Sequence, residues 1–108
     1  MNDTLSPLDA ALAWFDDGHN VAIATVIDTW GSSPRPVGSQ IAIRDDQHFV
    51  GSVSGGCIEN AVIQAALQVM QTQQAQMMEF LVSDELAWNT QLACGGAISV
   101  YVEPLLHT

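Results

Sequence analysis

The sequence predicts an α/β domain, or the related α+β class, in which a mixed sheet of about five strands packs with two main helices. Two segments repeat apolar residues at helical spacing, and β-branched runs lie between and after them. Two of these runs form a predicted hairpin, which excludes a purely parallel sheet because that sheet needs a crossover after every strand. The 108 residues predict one domain, 1–108, which can bury a core without disulfides or metals.

The N-terminal segment predicts a helix and then a central strand. Ser6 is typical of a helix N-cap, Pro7 suits the first helical position, and Gly18 can end the helix. The run 21–29 is rich in β-branched residues and apolar on both faces, as in a strand that is covered on both sides. We therefore expect this run in the middle of the sheet.

The next part of the chain predicts a loop and a hairpin. Residues 30–38 contain two glycines and two prolines, which favour a loop. The runs 39–44 and 47–53 have strand composition and are joined at the turn-forming pair Asp45 and Asp46. Arg44 directly precedes this pair, so we expect it to form a local ion pair in the hairpin.

The strongest helical pattern begins at Ile58, and polar residues occupy the opposite face. Its apolar stripe comprises Ile58, Ala61, Val62, Ala65, Ala66, Val69 and Met70. The Gln-rich segment 71–76 is predicted to hold the helix end and a turn. A strand at 77–82, a loop or short helix at 83–90 and a final alternating strand that stops at Pro104 complete the order.

The chain is strongly acidic, with a formal net charge of −10 and with Arg35 and Arg44 as its two Lys or Arg residues. Nucleic acids and anionic membrane surfaces both require many cationic contacts, so both are excluded as partners. Acidity fits either a well-solvated surface or a basic partner protein. Residues 1–4 lack the basic and apolar features of a secretion signal, and we expect a cytoplasmic protein with reduced cysteines.

The segment 51–59, GSVSGGCIE, is the most informative stretch of the chain because it links a predicted strand to the strongest helix. It places Cys57 at a helix N-terminus, where unpaired N–H groups favour a thiolate and lower the thiol pKa from its usual value of about 8.5. Cys94 lies beside a second glycine pair. Together the cysteines predict one site for a soft metal centre or a persulfide, against the alternative that each is a small buried apolar residue.

Three further features belong to the candidate site. Arg35 stands between two prolines on a rigid loop and suits an anionic ligand, with a salt bridge as the structural alternative. The backbone of Ser54, Gly55 and Gly56 can cradle a phosphate or simply form a tight turn. Glu59 in the first helical turn either complements the helix dipole or contacts the ligand.

Four motifs in this order resemble the XdhC/CoxI family, the accessory factors for xanthine dehydrogenase and related molybdenum hydroxylases. They are GSSPRPVG at 31–38, GSVSGGCIE at 51–59, LACGG at 92–96 and VEPL at 102–105. The motifs span nearly the whole chain. Longer family members continue into a C-terminal nucleotide-binding-like domain, which we expect this chain to lack.

The resemblance implies a chaperone that binds the molybdenum cofactor (molybdopterin), helps to protect and sulfurate it, and inserts it into the apo-enzyme of a molybdenum hydroxylase. Cys57 and Cys94 are then the expected metal ligands, and Trp30 is the aromatic residue best placed to stack on the pterin. The implied cofactor-binding residues are Arg35, Ser54, Gly55, Gly56, Cys57, Glu59, Cys94, Gly95 and Gly96.

Two alternatives stay open at this point. One is a thiol relay that accepts sulfur on Cys57 or Cys94 and passes it to molybdenum. The other is an interaction subunit that no longer binds cofactor. A cysteine desulfurase and a second copy of the chain are further candidate partners.

Overall fold

The computed structural model describes residues 6–30, 37–53, 58–82 and 96–105. These contain two helices and five strands, in the order α1 (Pro7–Asp16), β1 (Val21–Trp30), β2 (Gln40–Arg44), β3 (Phe49–Gly51), α2 (Glu59–Thr72), β4 (Gln76–Val82) and β5 (Gly96–Pro104). The predicted α/β class, with about five strands and two main helices, is confirmed. Neither helix is long and apolar enough to cross a bilayer.

The five strands form one sheet in the order β3-β2-β1-β5-β4, so β1 is central as predicted. All four pairings between described strands are antiparallel, which corrects the expectation of a mixed sheet. The physical reason is the position of β4. The connection through α2 is a crossover, so β4 runs in the same direction as β3. However, β4 joins the sheet at the edge opposite to β3, next to β5. Strands that run in the same direction are therefore never neighbours.

Helix α1 covers one face of the sheet over β1, β2 and β3. The hydroxyl of Ser6 accepts a hydrogen bond from the Asp9 N–H at 3.1 Å, and Pro7 opens the helix, as the sequence predicts. Beyond the helix end, Gly18 has φ +93°. The apolar contacts beneath α1 involve Ala11, Trp14, Phe15, Val21, Ile23, Ala42 and Leu105.

Helix α2 covers the other face and packs mainly on β1 and β5. The buried face of α2 differs in two positions from the predicted stripe: Ile63 is only 6% exposed, whereas Ala61 faces solvent. The helix ends at Gln73, which has φ +60°. The main core joins α2 to the strands through Ala22, Ala24, Val26, Ile41, Ile43, Val53, Ile58, Val62, Ile63, Ala66, Val69, Met70, Ile98, Val100 and Val102.

The hairpin between β2 and β3 turns at Asp45, Asp46 and Gln47. The N–H of Gln47 donates to the carbonyl of Arg44 at 2.9 Å, and Gln47 has φ +74°. A turn of this length that ends in a left-handed residue is a common hairpin connection. The predicted hairpin is therefore confirmed.

Candidate functional site

Two of the three segments that carry predicted site residues are flanked by residues at one end of the sheet. Segment 31–36 follows β1, and segment 83–95 precedes β5. Trp30, the last residue of β1, is the register partner of Ala97, so the end of β1 lies beside the start of β5. Strand β4 also finishes at this end, because its last residue pairs with Gly96.

The third segment, 54–57, follows β3, which ends at the same end of the sheet. Gly51 closes β3 and pairs with Ile41 near the start of β2. Because β2 is antiparallel to β1, the start of β2 lies towards the end of β1. The described residues that flank all three segments therefore lie at one end of the sheet.

The structure describes Glu59 and Gly96 among the predicted site residues, and Gly96 is the first residue of β5. The others, Arg35, Ser54, Gly55, Gly56, Cys57, Cys94 and Gly95, lie outside the described residues. The meeting of the two cysteines with Arg35 at one site therefore stays a prediction. Among the residues described, no group of three His, Cys, Asp or Glu side chains could hold a metal ion.

An open cleft of about 510 Å³ lies at this end of the sheet. It lies between the start of α1, the start of β2 and the end of β3. The described residues that line it are Pro7, Gly38, Ser39, Gln40, Gly51 and Ser52. The sequence did not predict this cleft, because its walls come from three separate parts of the chain that meet only through strand pairing and the packing of α1.

Gly51 shapes one wall of the cleft because only glycine fits there. Its φ of +105° is a conformation that other residues rarely adopt. A Cβ atom at this position would collide with the carbonyl oxygen of Gln40 and lie 2.7 Å from Cγ of Pro7. The end of β3 therefore lies directly against β2 and the first turn of α1.

Gly38 shapes the other wall by forming a β-bulge. The Gly38 N–H donates to the carbonyl of Val26 at 2.8 Å, and the Val26 N–H donates to the carbonyl of Ser39 at 2.9 Å. Gly38 and Ser39 thus both lie opposite Val26. Gly38 has φ +95°, as in a bulge whose first residue is a left-handed glycine. The bulge ends the pairing of β1 with β2 beside the cleft.

Glu59 ties the end of β3 to the start of α2. Its Oε2 atom accepts a hydrogen bond from the Ser52 hydroxyl at 2.6 Å and another from the Val53 N–H at 3.0 Å. Glu59 is also the acidic residue in the first turn of α2, where a carboxylate complements the helix dipole. The predicted position of Glu59 in the first helical turn, where it complements the helix dipole, is therefore observed.

Arg44 belongs to the opposite end of β2, four residues and roughly 14 Å from Gln40. Its Nε and Nη2 atoms donate to the two carboxylate oxygens of Asp46 at 2.9 and 2.7 Å, as the sequence predicts. The guanidinium also lies 5.3 Å from the ring centre of Trp14. The hydrogen bond from Arg44, and then the one from the N–H of His48, lower the pKa of Asp46 far below its usual value.

The described lining of the cleft is polar and uncharged, and it can bind a polar ligand. None of the described residues that line it is charged. The hydroxyls of Ser39 and Ser52 and the amide of Gln40 are its side-chain hydrogen-bonding groups, and Gln40 also donates to Thr25 at 3.2 Å. Its volume falls within the range of small-molecule and cofactor sites. The described lining of the cleft therefore fits a polar ligand.

Comparison with known proteins gives the family of the chain. The model of the XdhC and CoxI family matches residues 14–81. In Escherichia coli (strain K12), the molybdenum cofactor insertion chaperone PaoD is 32% identical over 82% of this chain and 27% of its own length. In Bacillus subtilis (strain 168), a protein described as a probable xanthine dehydrogenase subunit is 31% identical over 89% of this chain and 29% of its own length.

A solved structure shows the same fold. The crystal structure of a xanthine dehydrogenase from Bacillus halodurans matches with a TM-score of 0.76 and 31% identity, over 93% of this chain and 30% of that one. The chain thus spans less than a third of each of these three relatives. The motifs, the fold and the family model agree, and the chain belongs to the XdhC and CoxI family.

Proposed function

We propose that this chain is a binding module for the molybdenum cofactor, which it helps to insert into a molybdenum hydroxylase of the xanthine dehydrogenase type. The observation that carries the proposal is the shared end of the sheet. The described residues that flank all three predicted site segments lie towards this end, which also holds an open cleft of about 510 Å³ between α1, β2 and β3. The names of the relatives, an insertion chaperone and xanthine dehydrogenase proteins, support this choice of cofactor and partner.

The phosphate of the cofactor is bound by Arg35 and by the backbone of the segment before α2. Arg35 is one of two cations in a chain of net charge −10, and a guanidinium forms charge-assisted hydrogen bonds to phosphate oxygens. The N–H groups of Ser54, Gly55 and Gly56 precede a 14-residue helix, whose N-terminus favours anions. The hydroxyl of Ser39 in the cleft provides a further donor.

The molybdenum centre is bound by the thiolates of Cys57 and Cys94, since thiolates suit metals in sulfur-rich surroundings. Gly95 and Gly96 allow the cofactor to approach the backbone beside Cys94. Bound in this way, the cofactor brings its own redox metal and dithiolene, while the chain supplies recognition and shielding from water. Glu59 supports the site by holding the strand end that leads towards Cys57.

Delivery needs a partner, and we propose the apo-form of the hydroxylase. A cysteine desulfurase supplies the sulfur when the bound cofactor is sulfurated, and the cytoplasm keeps both cysteines reduced until then. The parts of the relatives that this chain does not span contribute to delivery in those longer proteins.

The proposal is tested by anaerobic titration of the chain with isolated molybdenum cofactor, followed by absorbance. The wild-type chain and its Cys57→Ser and Cys94→Ser variants are compared, with mass spectrometry of each protein afterwards. We expect stoichiometric binding by the wild type, weaker binding by at least one variant, and no added sulfur on either cysteine.

Two results would overturn the proposal. Failure of the wild-type chain to bind cofactor would show that the chain only interacts with other proteins. A mass increase of one sulfur atom on a cysteine after incubation with a cysteine desulfurase and free cysteine, lost again when cofactor is added, would show a thiol relay.

A further inference from the structure

Strand β4 forms one edge of the sheet that the structure describes, and the charge of Glu79 is the one feature of its sequence that protects this edge. Among the described strands, only β5 pairs with it. Its seven residues, QMMEFLV, include no proline and no lysine and carry a single charge, on Glu79. Natural edge strands normally use such residues, bulges or a covering element to prevent pairing with other chains. An edge protected by a single acidic side chain is suited to accept an added strand of opposite charge.

The two faces of β4 have different chemistry. On the side of α2, Met78 and Phe80 are half-buried at the border of the main core. On the opposite side, Met77 is 52% exposed and lies next to Tyr101, its register partner on β5. An added strand would therefore bring alternate residues beside the core border and beside the exposed face.

The exposed face of β4 and β5 is acidic and carries no described helix, since α1 packs over β1, β2 and β3. Glu79 is the register partner of Ser99, which is in turn the partner of Asp28 on β1. The carboxylates of Glu79 and Asp28 thus lie in one row across β4, β5 and β1. Glu103 is also exposed on this face of β5. A partner with cationic side chains complements this row.

A second copy of the chain is a poor occupant of the same edge. Antiparallel pairing of two β4 strands about their central residue would place Glu79 opposite Glu79 of the other copy. Like charges that face each other directly across a strand pair are destabilising. Each copy also has a net charge of −10, so the copies repel one another.

We propose that the β4 edge binds an extended segment of a basic partner protein, in which apolar residues alternate with Lys or Arg. The segment adds a sixth strand beside β4. Its apolar side chains lie beside Met78 and Phe80, and its cationic side chains lie beside Glu79. This inference does not depend on cofactor binding, because it rests on the edge strand and its charges alone.

The test uses the full 108-residue chain and a short synthetic peptide of alternating valine and lysine. Amide chemical shifts in NMR report where the peptide binds, and fluorescence anisotropy reports its affinity. We expect shifts that concentrate on β4 and β5. We expect Glu79→Gln to weaken binding about two- to fivefold, as for one exposed ion pair.

Two controls separate strand addition from general attraction to an acidic protein. Asp16→Asn changes the charge by the same amount on α1, so peptide affinity should change by less than about 1.5-fold. A peptide methylated on alternate backbone nitrogens keeps its charges but loses ladder donors, and it should bind at least about tenfold more weakly.

Three results would overturn the proposal. The first is equal loss of affinity in Glu79→Gln and Asp16→Asn, or undiminished binding of the methylated peptide. The second is no binding of the unmodified peptide to a chain that is folded by circular dichroism. The third is self-association that strengthens in Glu79→Gln and competes with the peptide, which would identify a second copy as the occupant.

Discussion

The Ser52 hydroxyl donates a 2.6 Å hydrogen bond to Oε2 of Glu59, and so joins the end of β3 to the first turn of α2. The N–H of Val53 donates to the same oxygen at 3.0 Å. Only residues 54–57 separate Val53 from Ile58, and they include Cys57. One carboxylate oxygen therefore fixes both described ends of the segment on which the proposed site depends.

Replacing Glu59 with alanine should destabilise the fold by about 1.5–3 kcal/mol, since hydrogen bonds to a charged group contribute on this scale. Urea unfolding followed by circular dichroism measures the loss. Asp9→Ala is the matched control, because Asp9 is also an acidic residue in the first turn of a helix. Its loss should be about 0.3–1 kcal/mol through the helix dipole. Equal losses would show that Glu59 acts through the dipole alone.

Gly51→Ala should destabilise the fold more than Gly38→Ala, by at least about 1 kcal/mol. Both glycines have φ near +100°, so both variants carry backbone strain. At Gly51 the new Cβ would also collide with the Gln40 carbonyl and crowd Pro7, whereas nothing lies within 4 Å at Gly38. Thermal and urea unfolding of both variants measure the difference. A larger loss in Gly38→Ala would contradict the packing described for the cleft wall.

Asp46 should titrate well below its usual pKa of 3.8, because Arg44 donates to both of its carboxylate oxygens. A pKa that is lower in the folded chain than in the unfolded one stabilises the fold at pH above 3.8, and the contribution is lost as pH falls through the folded value. Carbon-13 NMR of the Asp46 carboxylate measures the midpoint. In Arg44→Gln the midpoint should rise towards 3.8. The same midpoint in both proteins would exclude Arg44 as the cause.

Cys57 should be the more acidic thiol, because it precedes α2 while Cys94 precedes a strand. Iodoacetamide labelling at a series of pH values, read by peptide mass spectrometry, gives the two rates. At pH below about 7.5, Cys57 should react faster, and Cys94→Ser should leave its rate unchanged. Faster labelling of Cys94 at low pH would reverse the assignment.

The elements of the fold could be predicted because each depends on local signals. Ser6 and Pro7 begin α1, and the turn after Arg44 forms the hairpin. The antiparallel arrangement could not be predicted, because it depends on β4 joining the edge next to β5, a choice between distant strands. The burial of Ile63 likewise follows from how α2 rests on β1 and β5, which helical spacing alone does not fix.

The candidate site, too, could be predicted from the sequence only in part. The first-turn position of Glu59 follows from the strand-to-helix pattern, and the structure confirms it. Its bonds to Ser52 and Val53 could not be predicted, because they depend on the path of the chain around residues 54–57. The cleft was missed because Pro7, Gly38 and Gly51 meet only after α1 has packed on the sheet.

The central claim is that this chain binds the molybdenum cofactor through Arg35, and one comparison tests it most directly. Anaerobic cofactor titrations of Arg35→Ala and Arg44→Ala compare two variants that each lose one positive charge. Loss of a charge-assisted bond of about 1.5–3 kcal/mol should weaken binding by Arg35→Ala about ten- to hundredfold. Arg44→Ala should change affinity by less than about threefold, because Arg44 pairs with Asp46 at the other end of β2. Equal losses in both variants, or no loss in Arg35→Ala, would contradict the account.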